Sequence, residues 1–203
     1  ENQIVKIENL DMLTNLTELY LNNNQIIKIE NFDKLTNLTE LHLSSNQISK
    51  IENLDQLTRL IKLYLIANQI LKIENLDKLK SLKWLDLSFN NISNIDGLNS
   101  LINLTDLSLF HNEIKEVGNL DYNMKLNILS VGYNKITDVK KLCDYLKKFP
   151  LLQGLTVHGN PFCENISSNN NGNNQYNNQV RNIDDYSFPL SYEQIIITLD
   201  KLK

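Results

Sequence analysis

The residues of this sequence best suited to chemistry are three histidines, His42, His111 and His158, and two cysteines, Cys143 and Cys163. Such side chains are the usual general bases, nucleophiles and soft metal ligands of proteins. The cysteines show no CxxC spacing and no framework of paired bridges, which predicts buried or unreactive thiols in a reducing compartment. No glycine-rich loop precedes a helix, and no serine or cysteine lies beside a base as a nucleophile would.

A repeat of 22 residues must position these side chains, because it runs through most of the chain. Each copy starts the pattern L-x-x-L-x-L-x-x-N-x-I-x-x-I/V, and a seventh copy follows a longer repeat of 26 residues. The first leucines of the copies are Leu16, Leu38, Leu60, Leu82, Leu104, Leu126 and Leu152. Within each copy, x-L-x-L-x alternates inward and outward, which predicts a short strand that pairs in parallel with the strand of the next copy.

On that sheet the histidines are too far apart to share a ligand. His42 and His158 lie five repeats apart, which is roughly 24 Å at the spacing of neighbouring strands. His111 lies nearer to Asp86 and Asp106, but one histidine among carboxylates is typical of an ordinary polar sheet surface. We therefore predict no catalytic residue, no metal site and no cofactor, and we do not expect an enzyme.

An asparagine follows every predicted strand, at the point where the chain must turn. The series is Asn24, Asn46, Asn68, Asn90, Asn112, Asn134 and Asn160. A buried turn leaves backbone N–H and C=O groups unpaired, and an asparagine amide offers both a donor and an acceptor. We predict that these asparagines stack into a hydrogen-bonded ladder along the inside of the bend.

Together these patterns predict an α/β fold, a right-handed solenoid with a parallel concave β-sheet and a short helical or irregular convex side. Residues 1–163 are assigned to the solenoid, as a partial first repeat plus about seven repeats, because no single unit buries its apolar face alone. Apolar residues at Val139, Leu142, Leu146 and Phe149 predict an amphipathic helix on the convex side. Residues 164–190 are predicted to be an Asn-rich flexible insertion, and residues 191–203 a C-terminal capping helix of the same domain.

The start of the chain and its charge restrict the expected location and partners. The sequence opens inside a repeat at Asn2, so we expect that the first coil is missing. No basic stretch or apolar segment typical of a signal peptide is present at this end, which favours a cytoplasmic protein. No apolar run approaches the roughly 18 residues of a membrane span. The net charge of -4 gives no basis for binding nucleic acid or an anionic membrane, so a protein partner is expected.

The outward positions of the predicted strands indicate where that partner would bind. We predict a binding surface on the concave face at Tyr20, His42, Tyr64, Ile66, Trp84, Asp86, Phe89, Asp106, Phe110 and Tyr133. The five apolar members between 64 and 110 share a patch on the order of 10 to 15 Å across, flanked by the two aspartates. Exposed tryptophan and tyrosine are typical interface anchors. The alternative for Phe89 and Tyr133 is that they fold over the rim and pack on their own turns.

The recurring I-E-N-L-D motif, at residues 51–55 and 73–77, resembles the 22-residue class of leucine-rich repeats. That class includes a regulatory subunit of type-1 protein phosphatase and an axonemal dynein light chain. The stretches 82–90, 104–110 and 145–161 are most similar to the leucine-rich domain of the dynein regulatory complex subunit 3 family. The resemblance implies a scaffold in the nexin link of the cilium or flagellum axoneme, with a coiled coil after the repeats and an axonemal linker protein as partner. The alternatives are a phosphatase regulatory subunit that binds the catalytic subunit, or another adaptor that grips a small protein domain.

Overall fold

The computed structural model describes residues 2–163, so the predicted insertion at 164–190 and the capping helix at 191–203 lie outside the described residues. Seven three-residue strands and the helix between the last two strands make up most of the regular structure of this part, and a further helical segment starts at Pro161. The strands are β1 (Glu18–Tyr20), β2 (Glu40–His42), β3 (Lys62–Tyr64), β4 (Trp84–Asp86), β5 (Asp106–Ser108), β6 (Ile128–Ser130) and β7 (Gly154–Thr156). The helix α1 (Val139–Leu146) lies between β6 and β7.

All seven strands form one parallel sheet in which each strand pairs with the next strand of the sequence. The register is that of the repeat, so that Leu41 lies between Leu19 and Leu63. Equivalent residues therefore stack from one turn of the chain to the next. This arrangement confirms the predicted α/β solenoid with a parallel sheet.

The core consists of the leucine and isoleucine positions of the repeat. The central leucine of most strands, such as Leu63 and Leu85, is fully buried. On the other side of each turn the core is closed by residues such as Leu54 and Leu57, which are also fully buried. In that region Leu57 donates its backbone N–H to the carbonyl of Leu54 at 2.9 Å, as in a tight turn. The outward strand positions form the opposite surface, which is called the sheet face below.

The asparagine that follows each strand forms the predicted ladder, and Asn68 illustrates its geometry. Its side-chain oxygen accepts the backbone N–H of Ile48, in the preceding repeat, at 3.0 Å. Its amide nitrogen donates to the carbonyls of Leu43 at 3.0 Å, Leu65 at 3.1 Å and Ile66 at 3.2 Å. Because Asn68 is buried, these groups have little access to water, and the amide satisfies polar backbone atoms of two repeats at once.

A second asparagine series, in the I-E-N-L-D motif, was not predicted as structural. Asn53 has a left-handed φ of 57°, and its amide donates to the carbonyl of Ile29 at 2.7 Å. Asn75 does the same toward Ile51 at 2.7 Å. Asparagine tolerates this backbone region better than most residues. The signal for this second ladder was present in the sequence as an invariant position of the motif in consecutive repeats.

Helix α1 begins where its apolar spacing predicts and ends earlier than predicted. Asp138 is its N-cap, and its carboxylate accepts the backbone N–H of Lys141 at 2.8 Å. Leu142 and Leu146 face the core. The regular helix ends at Leu146, and Phe149 reaches the core from the following turn, with 5% of its surface exposed.

Candidate functional site

The first half of the sheet face carries a column of stacked rings. His42 lies between Tyr20 and Tyr64, with ring centroids 4.2 Å and 4.1 Å apart and nearly parallel planes. Trp84 extends the series from a different position of the repeat, in register with Lys62, and its ring centroid lies 6.3 Å from that of Tyr64. These four residues are called the ring column. Strands of a sheet are about 4.8 Å apart, so residues at equivalent positions of successive repeats lie at stacking distance.

An ion-pair network runs beside the ring column. Glu40 accepts from Lys62 Nζ at 2.9 Å and contacts His42 Nε2 at 2.7 Å. Burial acts to raise the pKa of Glu40, but the hydrogen bonds from Lys62 and His42 outweigh it and hold that pKa below its ordinary value. The hydrogen bond to Glu40 raises the pKa of Lys62 in turn. Lys62 is therefore a cation whose charge is largely balanced within the sheet.

Asp86 differs from its predicted role as an exposed acidic neighbour of the aromatic patch, because its exposed fraction is only 1%. Its side chain turns back along the strand, and Oδ1 accepts from the Ser88 backbone N–H at 2.9 Å and from Ser88 Oγ at 2.5 Å. The Ser88 hydroxyl also lies 2.7 Å from that of Ser108. Burial raises the pKa of Asp86 to about 6, and the hydrogen bonds from Ser88 offset part of that effect. This bond to the residue two positions ahead is the physical reason that the carboxyl does not project.

Asp106 remains a half-buried carboxylate on the sheet face. It pairs in register with Trp84 of the neighbouring strand. Its Oδ2 accepts from Thr105 Oγ1 at 2.6 Å. An ionised carboxylate has about four acceptor sites, so this one bond leaves most of its capacity available.

A second aromatic group occupies the rim of the sheet face, beyond the ends of the strands. We call Phe89, Phe110, His111, Tyr133 and His158 the rim cluster. Phe110 is its centre, with ring centroids 5.6 Å from Phe89, 5.2 Å from Tyr133 and 5.5 Å from His158. His111 stacks on Phe89 at 4.9 Å. Burial lowers the pKa of His158, which favours the neutral ring. Its Nδ1 has no hydrogen-bond partner among the described residues.

Glycines provide the space into which rim rings fit. A Cβ added to Gly132 would lie 3.1 Å from the ring of Phe110, and one added to Gly159 would lie 2.7 Å from the ring of Tyr133. Tyr133 therefore packs on the turn of the following repeat, and Phe89 on the ring of His111. These contacts are with the next repeat, because the parallel register brings that turn within reach, and the alternative that both residues pack on their own turns stays a prediction.

The structure thus separates the predicted patch into two kinds of contact. It brings Tyr64 to Trp84 within the ring column and Phe89 to Phe110 within the rim cluster. Ile66 is half-buried on the same face. His111 and His158 were not among the predicted site residues, although their positions after the strands were readable from the register of the repeat.

Within residues 2–163, no three histidine, cysteine or carboxylate side chains are grouped to hold a metal ion. Cys143 and Cys163 are half-buried thiols, and burial raises the pKa of Cys143. No helix in this same part of the chain has the length and apolar character needed to cross a membrane.

Sequence profiles of leucine-rich repeats match most of the described chain. Two copies of the profile "Leucine Rich repeats (2 copies)" match residues 36–78 and 80–122, and single-repeat profiles match residues 15–35 and 122–139. Among curated protein sequences, none matches significantly.

Solved structures of bacterial proteins share the fold. The internalin C2 (inlC2) of Listeria monocytogenes is 32% identical with a TM-score of 0.70, and the match covers 78% of this chain and 68% of that one. The internalin inlF of the same bacterium is 28% identical with a TM-score of 0.66, over 76% of this chain and 46% of that one. A leucine-rich-repeat protein of Leptospira interrogans is 28% identical with a TM-score of 0.66, over 74% and 39%. This chain thus spans less than half of the inlF and Leptospira chains.

Three findings agree on the repeats of this chain. Sequence profiles of leucine-rich repeats match them, their strands form a parallel sheet in repeat register, and the chain is 32% identical to an internalin over two thirds of the length of that protein. The chain belongs to the leucine-rich repeat family.

Proposed function

We propose that this protein is a non-catalytic scaffold that holds a protein partner on its sheet face. Leucine-rich repeat domains are typically interaction domains without catalytic activity. The observation that carries the proposal is the arrangement of aromatic rings on the sheet face, in the ring column and the rim cluster. Tryptophan and tyrosine are the residues most enriched among interface hot spots.

The rings are also held in place before any partner binds. Stacking holds the ring of His42 between two tyrosines. The rings of Phe110 and Tyr133 pack closely on Gly132 and Gly159, which restricts their rotation. A side chain that is already ordered loses little rotamer entropy on binding, and that loss is otherwise on the order of 1 kcal/mol for each side chain. The seven strands span about 29 Å at the usual spacing, which is enough for an extended segment or one face of a small domain.

A photo-crosslinking experiment tests the proposal. A crosslinking amino acid is placed at Ser130 on the sheet face, and in a parallel variant at Tyr122, an aromatic residue outside the strands with 63% of its surface exposed. In extracts of cells that express the protein, the Ser130 variant should capture a defined partner and the Tyr122 variant should not. Capture from Tyr122 alone would contradict the proposal.

The captured partner then allows a quantitative measurement. The double variant Trp84→Ala/Phe110→Ala should weaken binding of the purified partner at least tenfold, because hot-spot truncations typically cost more than 1 kcal/mol each. The matched control Tyr122→Ala removes an exposed aromatic residue away from the sheet face and should bind as the wild type does. Circular dichroism of each variant establishes that the fold is retained. Unchanged binding of the folded double variant would refute the assigned surface.

We further propose a cytoplasmic location and an axonemal role, with an axonemal linker protein as the partner. The support is the similarity of stretches 82–90, 104–110 and 145–161 to the leucine-rich domain of the dynein regulatory complex subunit 3 family. Mass spectrometry of the crosslinked partner tests it. An axonemal linker protein supports the proposal, a phosphatase catalytic subunit would replace it with the regulatory-subunit alternative, and another small protein domain would favour a general adaptor.

A further inference from the structure

The charged residues of the seven strands have an unequal distribution of sign. Four of them are carboxylates, namely Glu18, Glu40, Asp86 and Asp106, and only Lys62 is a cation. Lys62 is already paired with Glu40 at 2.9 Å. Because Asp86 is buried, a partner on the sheet face meets the carboxylates Glu18, Glu40 and Asp106 beside one paired cation, interleaved with aromatic rings.

We propose that the sheet face recognises an arginine-bearing segment of its protein partner, with the guanidinium placed between Trp84 and Asp106. This inference rests on the proposed function and specifies the chemistry of the partner. The proposed site binds a cationic segment and takes no part in a reaction.

The register of Trp84 and Asp106 suits a guanidinium. The two residues are register partners on β4 and β5, so their Cα atoms are separated by about the 4.8 Å strand spacing. A guanidinium is planar, so it stacks on an indole within about 6 Å while its edge donates hydrogen bonds to a neighbouring carboxylate. Asp106 is half-buried, and partial removal from water strengthens such a pair.

Two adjacent features favour arginine over other partner chemistry. The ring column continues from Trp84 to Tyr64 and offers a second aromatic surface for a planar cation. Asp86 is buried on the same strand as Trp84, where it adds negative potential when ionised. A lysine ammonium forms point contacts and does not stack, so the site should discriminate between the two cations. An acidic segment or a nucleic acid would be repelled by the same carboxylates.

The chain contains one tryptophan, so an indole signal observed in the protein comes from Trp84 and reports binding at this site. The probes are the capped peptides (Gly-Arg)4, (Gly-Lys)4 and (Gly-Glu)4, titrated into the full ¹⁵N-labelled chain. The measured quantity is the indole N–H resonance of Trp84. We expect (Gly-Arg)4 to shift this resonance with saturation, (Gly-Lys)4 to bind several-fold more weakly, and (Gly-Glu)4 to cause no shift.

Two variants separate local pairing from overall charge. Asp106→Asn retains an oxygen for the Thr105 hydroxyl and should weaken (Gly-Arg)4 binding about fivefold, as expected for loss of one partly exposed ion pair. Asp55→Asn removes the same charge from an exposed position outside the strands and should bind as the wild type does.

The outcomes distinguish this inference from the proposed function. Equal weakening by both variants, equal binding of the arginine and lysine peptides, or no shift with (Gly-Arg)4 at millimolar concentration would each overturn the arginine assignment. If the crosslinked partner still depends on Trp84 and Phe110 in those cases, the proposed function stands without it. If no partner is captured from the sheet face, the proposed function fails first.

Discussion

Replacing Asp86 with asparagine should stabilise the folded protein at neutral pH and have a much smaller effect near pH 4. The carboxyl is 1% exposed and has no cation among its hydrogen-bond partners, which are the Ser88 backbone N–H and hydroxyl. Burial penalises its ionised form and raises its pKa from the ordinary 3.8 to about 6. Asparagine has nearly the same shape and its side-chain oxygen can accept both hydrogen bonds from Ser88.

The magnitude follows from the linkage between protonation and folding. Below pH 3.8 the carboxyl of Asp86 is protonated in both states and has no pH-dependent effect on the free energy of unfolding. Between 3.8 and about 6 the unfolded chain loses the proton while the folded chain keeps it, so stability falls as the pH rises. Above about 6 both states are ionised, and the accumulated loss of stability is about 3 kcal/mol at about 1.4 kcal/mol for each pH unit.

Urea unfolding from pH 4 to pH 7.5, followed by circular dichroism, measures this effect. The free energy of unfolding of Asp86→Asn minus that of the wild type should increase by about 2.4 kcal/mol across this range, because a small part of the effect has already occurred at pH 4. Asp55→Asn removes the same charge from an exposed position and controls for the change in net charge. A difference that stays constant with pH, or that favours the wild type increasingly toward pH 7, would refute the view that burial destabilises the ionised Asp86.

Two further predictions concern the turns. Asn68→Ala removes the amide that serves two repeats and should lower the free energy of unfolding by about 2 to 4 kcal/mol in urea, whereas the neighbouring exposed Gln69→Ala should change it little. Gly97→Ala should lower the thermal midpoint by an amount equivalent to about 1 to 3 kcal/mol, because φ is +70° and a Cβ would lie 2.3 Å from the carbonyl oxygen of Ile73. Gly118→Ala, with no atom within 4 Å of an added Cβ, is its control, and equal melting of the two variants would contradict the steric argument.

The repeat pattern was sufficient to predict the sheet and its register. Leu41 and Leu63 recur at the repeat spacing, and a chain that coils with a constant period must place them side by side. The asparagine ladder was predictable for the same reason, since a buried turn requires a donor and an acceptor at one fixed position. The start of α1 was predictable because capping by Asp138 and apolar spacing are local properties.

The details of the site depended on contacts that no local pattern specifies. Asp86 and Asp106 both occupy outward positions of their strands, yet one is buried and the other half-buried. The difference arises because Asp86 bonds back to Ser88, whereas Asp106 bonds to Thr105 and stays beside Trp84. The direction of a side chain is decided by the hydrogen bonds and rings that surround it.

The sequence by itself therefore determined the repeating fold, the position of the sheet face and the identity of the residues on it. Only the tertiary structure decided that the aromatic residues divide between the ring column and the rim cluster, and that Tyr133 rests on Gly159 of the next repeat. The physical reason is that the period of a repeat fixes the backbone, whereas the contacts of a surface side chain depend on the particular residues of the neighbouring repeats.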